Sequence, residues 1–409
     1  MRRSAVLLFA AFAFAYFLSA LLRAVTATLA PVLRAEFDLS SADLGLLAGA
    51  YFLGFASTQL PLGHALDRYG PRRVLLGFLC VAIVACAAFA TAGSFSTLLA
   101  ARALTGIGVS ACLMAPLTAY RLRFSPAVQL RASSWMLMTG SLGMLASTLP
   151  VQWIVPVLGW RGLFGMLAGL LVCAALGIVC CVPADKSAGR AAAARQIDRG
   201  SALRYVDIFR HPHFVRLAPL AFVVYGSLIA VQALWAGPWL TDVVGSSNSD
   251  SAAGLFQINL AMLLAFLGWG SVMPHLARQG VSAERLMTFG VPVSLLLLAA
   301  VVMAGREAGP LLWAAWCVSC SCVSLSQSSV ALSFPASAAG RVLSAFNLVI
   351  FMGVFSVQWG VGLVLDALAA SGLGRIDAYR GTFGLLLVAS CASFAWFVWR
   401  GRTTPPLVR

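Results

Sequence analysis

The sequence predicts an all-α membrane protein of twelve transmembrane helices in two six-helix bundles. Three observations predict it. The 409 residues are 61% hydrophobic and only 10% charged, and mean hydropathy is +0.92. The apolar residues fall into twelve long stretches, and about 20 apolar residues cross the hydrocarbon core of a bilayer. None of the 13 acidic residues lies in the middle of such a stretch, and of the 28 basic residues Arg23 alone does. A charge at membrane depth costs roughly 2.5–3.5 kcal/mol on insertion scales, which makes Arg23 a functional-site candidate by default.

Charged breaks place the spans near 5–33, 42–62, 74–92, 97–119, 134–156, 162–182, 215–240, 252–273, 287–304, 310–333, 342–366 and 381–399. The start, Met1-Arg2-Arg3 before an apolar run, imitates a signal peptide. The run continues past Arg23 to about Leu33, too long for a signal-peptide core, so an uncleaved first span is expected. Connections are short except at 183–214, where Lys186, Arg190, Arg195, Arg199, Arg204, Arg210 and the Ala191–Ala194 run read as a linker, with room for an amphipathic helix on anionic lipid. The domains expected are therefore a bundle over 1–182, the linker 183–214, and a bundle over 215–409.

The net charge of +15 does not point to nucleic acid, because the basic residues sit in short segments between apolar spans rather than on one polar domain. Their distribution follows the positive-inside rule. Arg2, Arg3, Arg68, Arg72, Arg73, Arg121, Arg123, Arg131, Arg278, Arg285 and Arg341 fall in cytoplasmic segments; Arg34, Arg102, Arg161, Arg306, Arg375 and Arg380 fall in outer ones. Both termini are expected in the cytoplasm. The expected surroundings are the lipid bilayer and a small-molecule substrate, with the protein a monomer. No cofactor or metal is called for. Cys317, Cys320 and Cys322 do not share one helical face and read as packing residues. An enzyme would need a nucleophile, base or metal set at depth, and the sequence offers no such constellation. No phosphate-binding Gly-x-x-x-x-Gly-Lys-Ser/Thr loop is present for ATP-driven transport.

Polar residues inside the spans pick out faces. Tyr16, Ser19, Arg23, Thr26 and Ala30 line one face of the first helix. A guanidinium there binds a carboxylate or phosphate with two parallel hydrogen bonds, or braces backbone carbonyls. The seventh span presents Tyr225, Gln232, Trp235 and Trp239, and the eleventh Asn347, Phe351 and Gln358. Trp239, at the outer end, reads as an interfacial anchor. In the tenth span Gln327 is the polar residue of interest.

Gly63-x-x-x-Asp67-Arg68-x-Gly70-x-Arg72-Arg73 after the second span resembles the loop signature of the major facilitator superfamily, with Pro71 where a base is usual. Arg102-x-x-x-Gly106-x-Gly108 and Gly159-Trp160-Arg161 resemble two further family signatures. The copy after the eighth span is degenerate, with Pro274 at the acid's place. The resemblance covers nearly the whole chain and implies a secondary transporter of a bacterial inner membrane that works by alternating access. It implies that the faces with Tyr16 and Arg23, and with Tyr225, Gln232 and Trp235, line a central cavity beside Asn347 and Gln358. Gly63, Asp67, Arg68, Gly70, Arg72 and Arg73 would form a cytoplasmic gate; the alternative is that they anchor a loop at the headgroups. Arg102 matches a residue implicated in proton coupling, and Asp43 is the nearest acid for that role.

Arg23 resembles an anion-binding arginine of the family's organophosphate:phosphate antiporters, but their second arginine, in helix 7, has no counterpart in 223–231. The expected substrate is therefore a small organic anion with a carboxylate. The fifth span lacks the Gly-Pro step of exporters, so uptake is expected, and the family resemblance implies proton symport. The alternatives are an exporter of neutral or amphiphilic compounds and a membrane sensor on a transporter fold.

Overall fold

The computed structural model describes residues 3–183, 204–335 and 338–403, and every regular element among them is helical. The elements are α1 (Arg3–Phe37), α2 (Ser41–Ser57), α3 (Gln59–Tyr69), α4 (Pro71–Ala90) and α5 (Phe95–Arg123). Then come α6 (Pro126–Ala146), α7 (Leu149–Cys181), α8 (Tyr205–Arg210) and α9 (Pro212–Val244). The last five are α10 (Asn248–Arg278), α11 (Ala283–Ala304), α12 (Pro310–Leu332), α13 (Ala339–Ala370) and α14 (Arg375–Thr403).

Ten described helices are long and apolar enough to cross a membrane. The remaining two crossings are assembled from pieces. Thr58 keeps helical dihedrals between α2 and α3, so the two run on as one rod. Within α7, Gly159 at φ 66° ends one rod and starts the next, and Thr148, at φ −101° and ψ −110°, breaks the helix between α6 and the first part of α7. The result agrees with the twelve stretches of the hydropathy reading. Helix starts follow local chemistry. Pro71, Pro126, Pro212 and Pro310 occupy first turns, where a missing N–H costs nothing and φ is already set. This explains the departure at Pro71 in the loop signature: the proline opens α4. Ser94 and Thr97 cap α5 reciprocally. The seventh crossing begins at Pro212 rather than near 215, and Lys186, Arg190, Arg195, Arg199 and Ala191–Ala194 lie outside the described residues.

The chain packs as two compact units, Met1–Val25 with Ala50–Ala202, and Thr26–Gly49 with Leu203–Arg409. Within each, small residues set the closest helix approaches, as expected where lipid supplies no hydrophobic drive. In the first unit, a Cβ at Gly106 would collide with the Tyr51 backbone, one at Gly108 with Ala82, and one at Gly54 with Ala103. The aromatic core of this unit stacks Phe89 on Phe164 at 4.0 Å, with Trp160 edge-on at 5.7 Å. In the second unit Gly226 and Gly353 bring α9 onto α13, and Gly45 and Gly362 bring α2 onto α13.

Trp239 is not the interfacial anchor that the sequence suggests. It is wholly buried, packs edge-on against Trp313, Tyr379 and Phe383, and donates its indole N–H to the Ala308 carbonyl at 3.0 Å. With its one polar atom satisfied, the ring can serve as core. Prolines inside helices are accommodated in a similar way. Pro219 cannot donate to the Val215 carbonyl, and that oxygen accepts the Trp396 indole N–H at 3.1 Å.

Two positions on α13 test the small-residue contacts. Gly353→Leu drives a side chain into the Phe222 backbone, whereas Gly360 has open space around it. Overpacking costs about 1–3 kcal/mol, so Gly353→Leu should lower the melting midpoint of the detergent-purified protein by several degrees. Gly360→Leu should leave it almost unchanged.

Candidate functional site

Arg102 organises the first unit. The sequence reading placed it with the outer segments; the structure buries it to 1% exposure. Its Nη1 donates to the Leu22 carbonyl at 2.7 Å and its Nη2 to the Arg23 carbonyl at 3.3 Å. Its guanidinium lies 4.9 Å from the centre of the Tyr51 ring. The physical reason for the difference is distance along the helix. Ser94 caps α5, so Arg102 lies about two turns inside it, on the face that Gly106 and Gly108 press against the neighbouring helices. Counting from the nearest loop does not reveal which way those two turns point. Carbonyl dipoles offset the burial of the charge, and hydrogen bonds from charged donors are the stronger ones.

Arg23 lies on the same stretch of α1, half-buried. Its guanidinium sits 5.9 Å from the Phe55 ring centre and lies beside Tyr51, whose hydroxyl donates to the Ser19 carbonyl at 3.3 Å. Two arginines thus flank one tyrosine. Asp67 is the sole acid among the described residues of this unit, and it lies twelve residues beyond Phe55, about 18 Å along the rod of α2 and α3. Tyr16 is buried on α1, and its ring leaves no room for a side chain at Gly140 of α6.

The gate candidates cluster where α3 meets α4. Gly70 takes φ 82° between the helices, a conformation that favours glycine. Gly63, Asp67, Arg68 and Arg73 are exposed. Arg68 stacks over Tyr69 at 5.3 Å, and Arg72 donates to the Val179 carbonyl at 2.8 Å, which ties the start of α4 to the end of α7. Asp43 and Ser40 cap the start of α2: Ser40 N–H donates to the Asp43 carboxylate at 3.2 Å and Asp43 N–H to Ser40 Oγ at 3.1 Å.

The other candidates lie in the second unit. α9 departs from α-helical form in π turns at Ala221–Tyr225, Val231–Trp235 and Leu240–Val244, a rare geometry that is frequent at functional sites. Tyr225, Gln232 and Trp235 all sit in these turns. Gln232 and Trp235 are buried, and Tyr225 half-buried. Trp235 donates to the Gln358 carbonyl at 3.1 Å. Gln232 Nε2 approaches Asn259 Oδ1 at 3.5 Å, and Gln327 Nε2 donates to Asn347 Oδ1 at 2.8 Å. Asn347 and Gln358 share a face of α13, three turns apart. Asn259 went unremarked in the sequence, although two amides, Gln257 and Asn259, inside the apolar run 252–273 were the available signal. Asp242 reads in the sequence as one of the acids of the outer segments, without its partners; its carboxylate accepts from Arg34 at 3.0 Å, Arg375 at 2.6 Å and the Tyr379 hydroxyl at 2.8 Å.

The grip of Arg102 on two carbonyls is open to test. Arg102→Lys keeps the charge but loses the fork, and Arg102→Ala loses both. With roughly 1.5–3 kcal/mol for each hydrogen bond from a charged donor, both should lower the melting midpoint, alanine further than lysine. Arg68→Lys, at the exposed stack on Tyr69, should leave it unchanged.

A sequence profile of the Major Facilitator Superfamily matches residues 12–354. Over 165 residues, 38% of this chain and 34% of the relative, the sequence is 32% identical to the 4-hydroxybenzoate transporter of Pseudomonas aeruginosa. Over 93 residues, 23% of this chain and 22% of the relative, it is 32% identical to a probable sulfoacetate transporter of Cupriavidus necator. The chain thus aligns with about a third or less of each relative's length. In fold it is similar to the crystal structure of a D-xylose-proton symporter, with TM-score 0.78, 14% identity and 98% of both chains covered. Apolar helices of bilayer length, the loop signature and this architecture agree: the chain belongs to the Major Facilitator Superfamily.

Proposed function

We propose that the protein takes up a small organic anion, carrying a carboxylate or sulfonate, across a bacterial inner membrane by alternating access with proton symport. The observation behind this reading is charge balance. Arg23 and Arg102 bring two positive charges to one level of the first unit, whose described residues hold a single acid, Asp67. Two guanidiniums at one level favour an anion there, and a carboxylate or sulfonate can take paired hydrogen bonds from a guanidinium. In this reading Arg102 fixes the backbone of α1, and Arg23 presents its guanidinium to the anion. Tyr16, Tyr225, Gln232, Trp235 and Asn347 orient the organic part, with polar groups set in aromatic walls.

The substrates in the names of the two relatives, sulfoacetate and 4-hydroxybenzoate, are organic acids, which supports the class without naming the compound. Asp43 is engaged in capping α2, so the proton in this reading travels with the acid group of the substrate. Gly63, Asp67, Arg68, Gly70, Arg72 and Arg73 act as the gate at the cytoplasmic end, both termini lie on that side, and the carrier works as a monomer.

Ligand-induced thermal stabilisation tests the substrate class. Carboxylates and sulfonates should raise the melting midpoint of the wild-type protein in detergent, because a ligand bound only to the folded state stabilises it by mass action. The shift should vanish in Arg23→Gln. Stabilisation by neutral or cationic compounds that survives in Arg23→Gln would show the anion reading to be wrong.

Coupling has its own assay. In proteoliposomes, uptake of the stabilising acid should rise several-fold when the outside is made more acidic than the lumen, and collapse with a protonophore. Uptake indifferent to the gradient would exclude symport.

A further inference from the structure

The turn between α1 and α2 is tied into the second unit by two carboxylates. Asp242 of α9 holds Arg34, in the last turn of α1, together with Arg375 and Tyr379. Asp366, near the end of α13, takes the start of α2: its two oxygens accept the backbone N–H groups of Ser41 at 3.1 Å and Ala42 at 2.7 Å. The first N–H groups of a helix have no partner within it, and a carboxylate there also meets the positive end of the helix dipole. Ser40 and Asp43 serve one end of this need locally; Asp366 supplies the rest from far along the sequence.

Two turns before Asp366 on the same face of α13 lies Gln358. It is wholly buried. Its carbonyl accepts the Trp235 indole, yet neither the nitrogen nor the oxygen of its side-chain amide has a hydrogen-bond partner among the described residues. The cover over it belongs partly to α2. Gly45 has no room for a side chain against the Gln358 backbone, and Gly49 sits against the Gln358 Cβ. A buried amide without partners is destabilising, and the cost disappears once water or another polar group can reach it.

We infer that Asp366 and Gln358 form an opposed pair, Asp366 latching the start of α2 onto α13 and Gln358 loosening the same contact. Closure at this end is then strong enough to seal but not to trap. The latch exchanges a charged cap that is made only when α2 is down for an amide that is satisfied only when α2 is up. Alternating access requires helix contacts at one end to open in one state and close in the other, and the pair sets how readily this contact opens.

Hydrogen–deuterium exchange on the full-length protein in lipid nanodiscs reads this directly, with no ligand added. Asp366→Ala should speed exchange over residues 41–48 at least about tenfold, since it loses two charge-assisted hydrogen bonds and one alone gives about that ratio. Asp366→Asn, which keeps an acceptor, should speed it less. Gln358→Met, similar in size but without the amide, should slow exchange over the same residues several-fold. Exchange over 78–88 in α4 should be unchanged in all three. Unchanged exchange over 41–48 in Asp366→Ala, or unchanged or faster exchange there in Gln358→Met, would overturn the inference. If Asp366→Ala does not fold, Gln358→Met decides alone, since it removes no hydrogen bond. The assay needs no substrate, so it stands or falls separately from the anion reading.

Discussion

A guanidinium enclosed among apolar helices must find oxygen atoms within reach, and the first unit is organised around meeting that need for Arg102. No carboxylate among the described residues meets it. Two backbone carbonyls of α1 do, at 2.7 and 3.3 Å. Main-chain oxygens are reachable only if the helices come close. The places where a side chain would obstruct that approach are occupied by Gly54 and Gly106, against Ala103 and Tyr51. The spacing Arg-x-x-x-Gly-x-Gly thus has a mechanical meaning: the glycines seat α5, and the arginine, a turn earlier, fastens α1. Arg23 follows from this, because its own carbonyl is one of the two that are held.

The second unit treats charge in the opposite way. Its carboxylates sit at helix ends, where free N–H groups or arginines meet them, and its membrane-depth polarity is uncharged amide. Asn259, Gln232, Gln327, Asn347 and Gln358 are all of this kind. An amide costs less to bury than a charge and offers donor and acceptor together.

Much of this was legible in the sequence because a bilayer imposes long-range regularity on a chain. Apolar length marked the crossings, and the loop signature marked the turn from α3 to α4. What escaped was direction. A hydropathy reading says how far Arg102 is from the nearest loop, not that it faces α1 rather than headgroups. Trp239 misled for the same reason: at a span end the prior favours an interfacial ring, and only the Ala308 carbonyl within reach of its N–H makes it core. Asp242 and Asp366 were visible as acids near span ends, but their partners, Arg34 with Arg375 and the backbone at Ser41 and Ala42, come from distant parts of the chain. No local pattern encodes such pairings.

The π turns of α9 have a further consequence. A π turn holds one more residue than the α turn it replaces, so the helix carries surplus chain along its length. Deleting one residue from most helices rotates everything beyond by about 100° and shifts it by about 1.5 Å. Within Val231–Trp235, the same deletion can be absorbed by tightening the turn to α form, with the register of both flanks kept. The surplus can also migrate: as one turn tightens and its neighbour widens, side chains between them swing while the ends of the helix stay where they are. Gln232 and Trp235 ride on such a turn, so α9 can re-aim them without moving as a rigid rod.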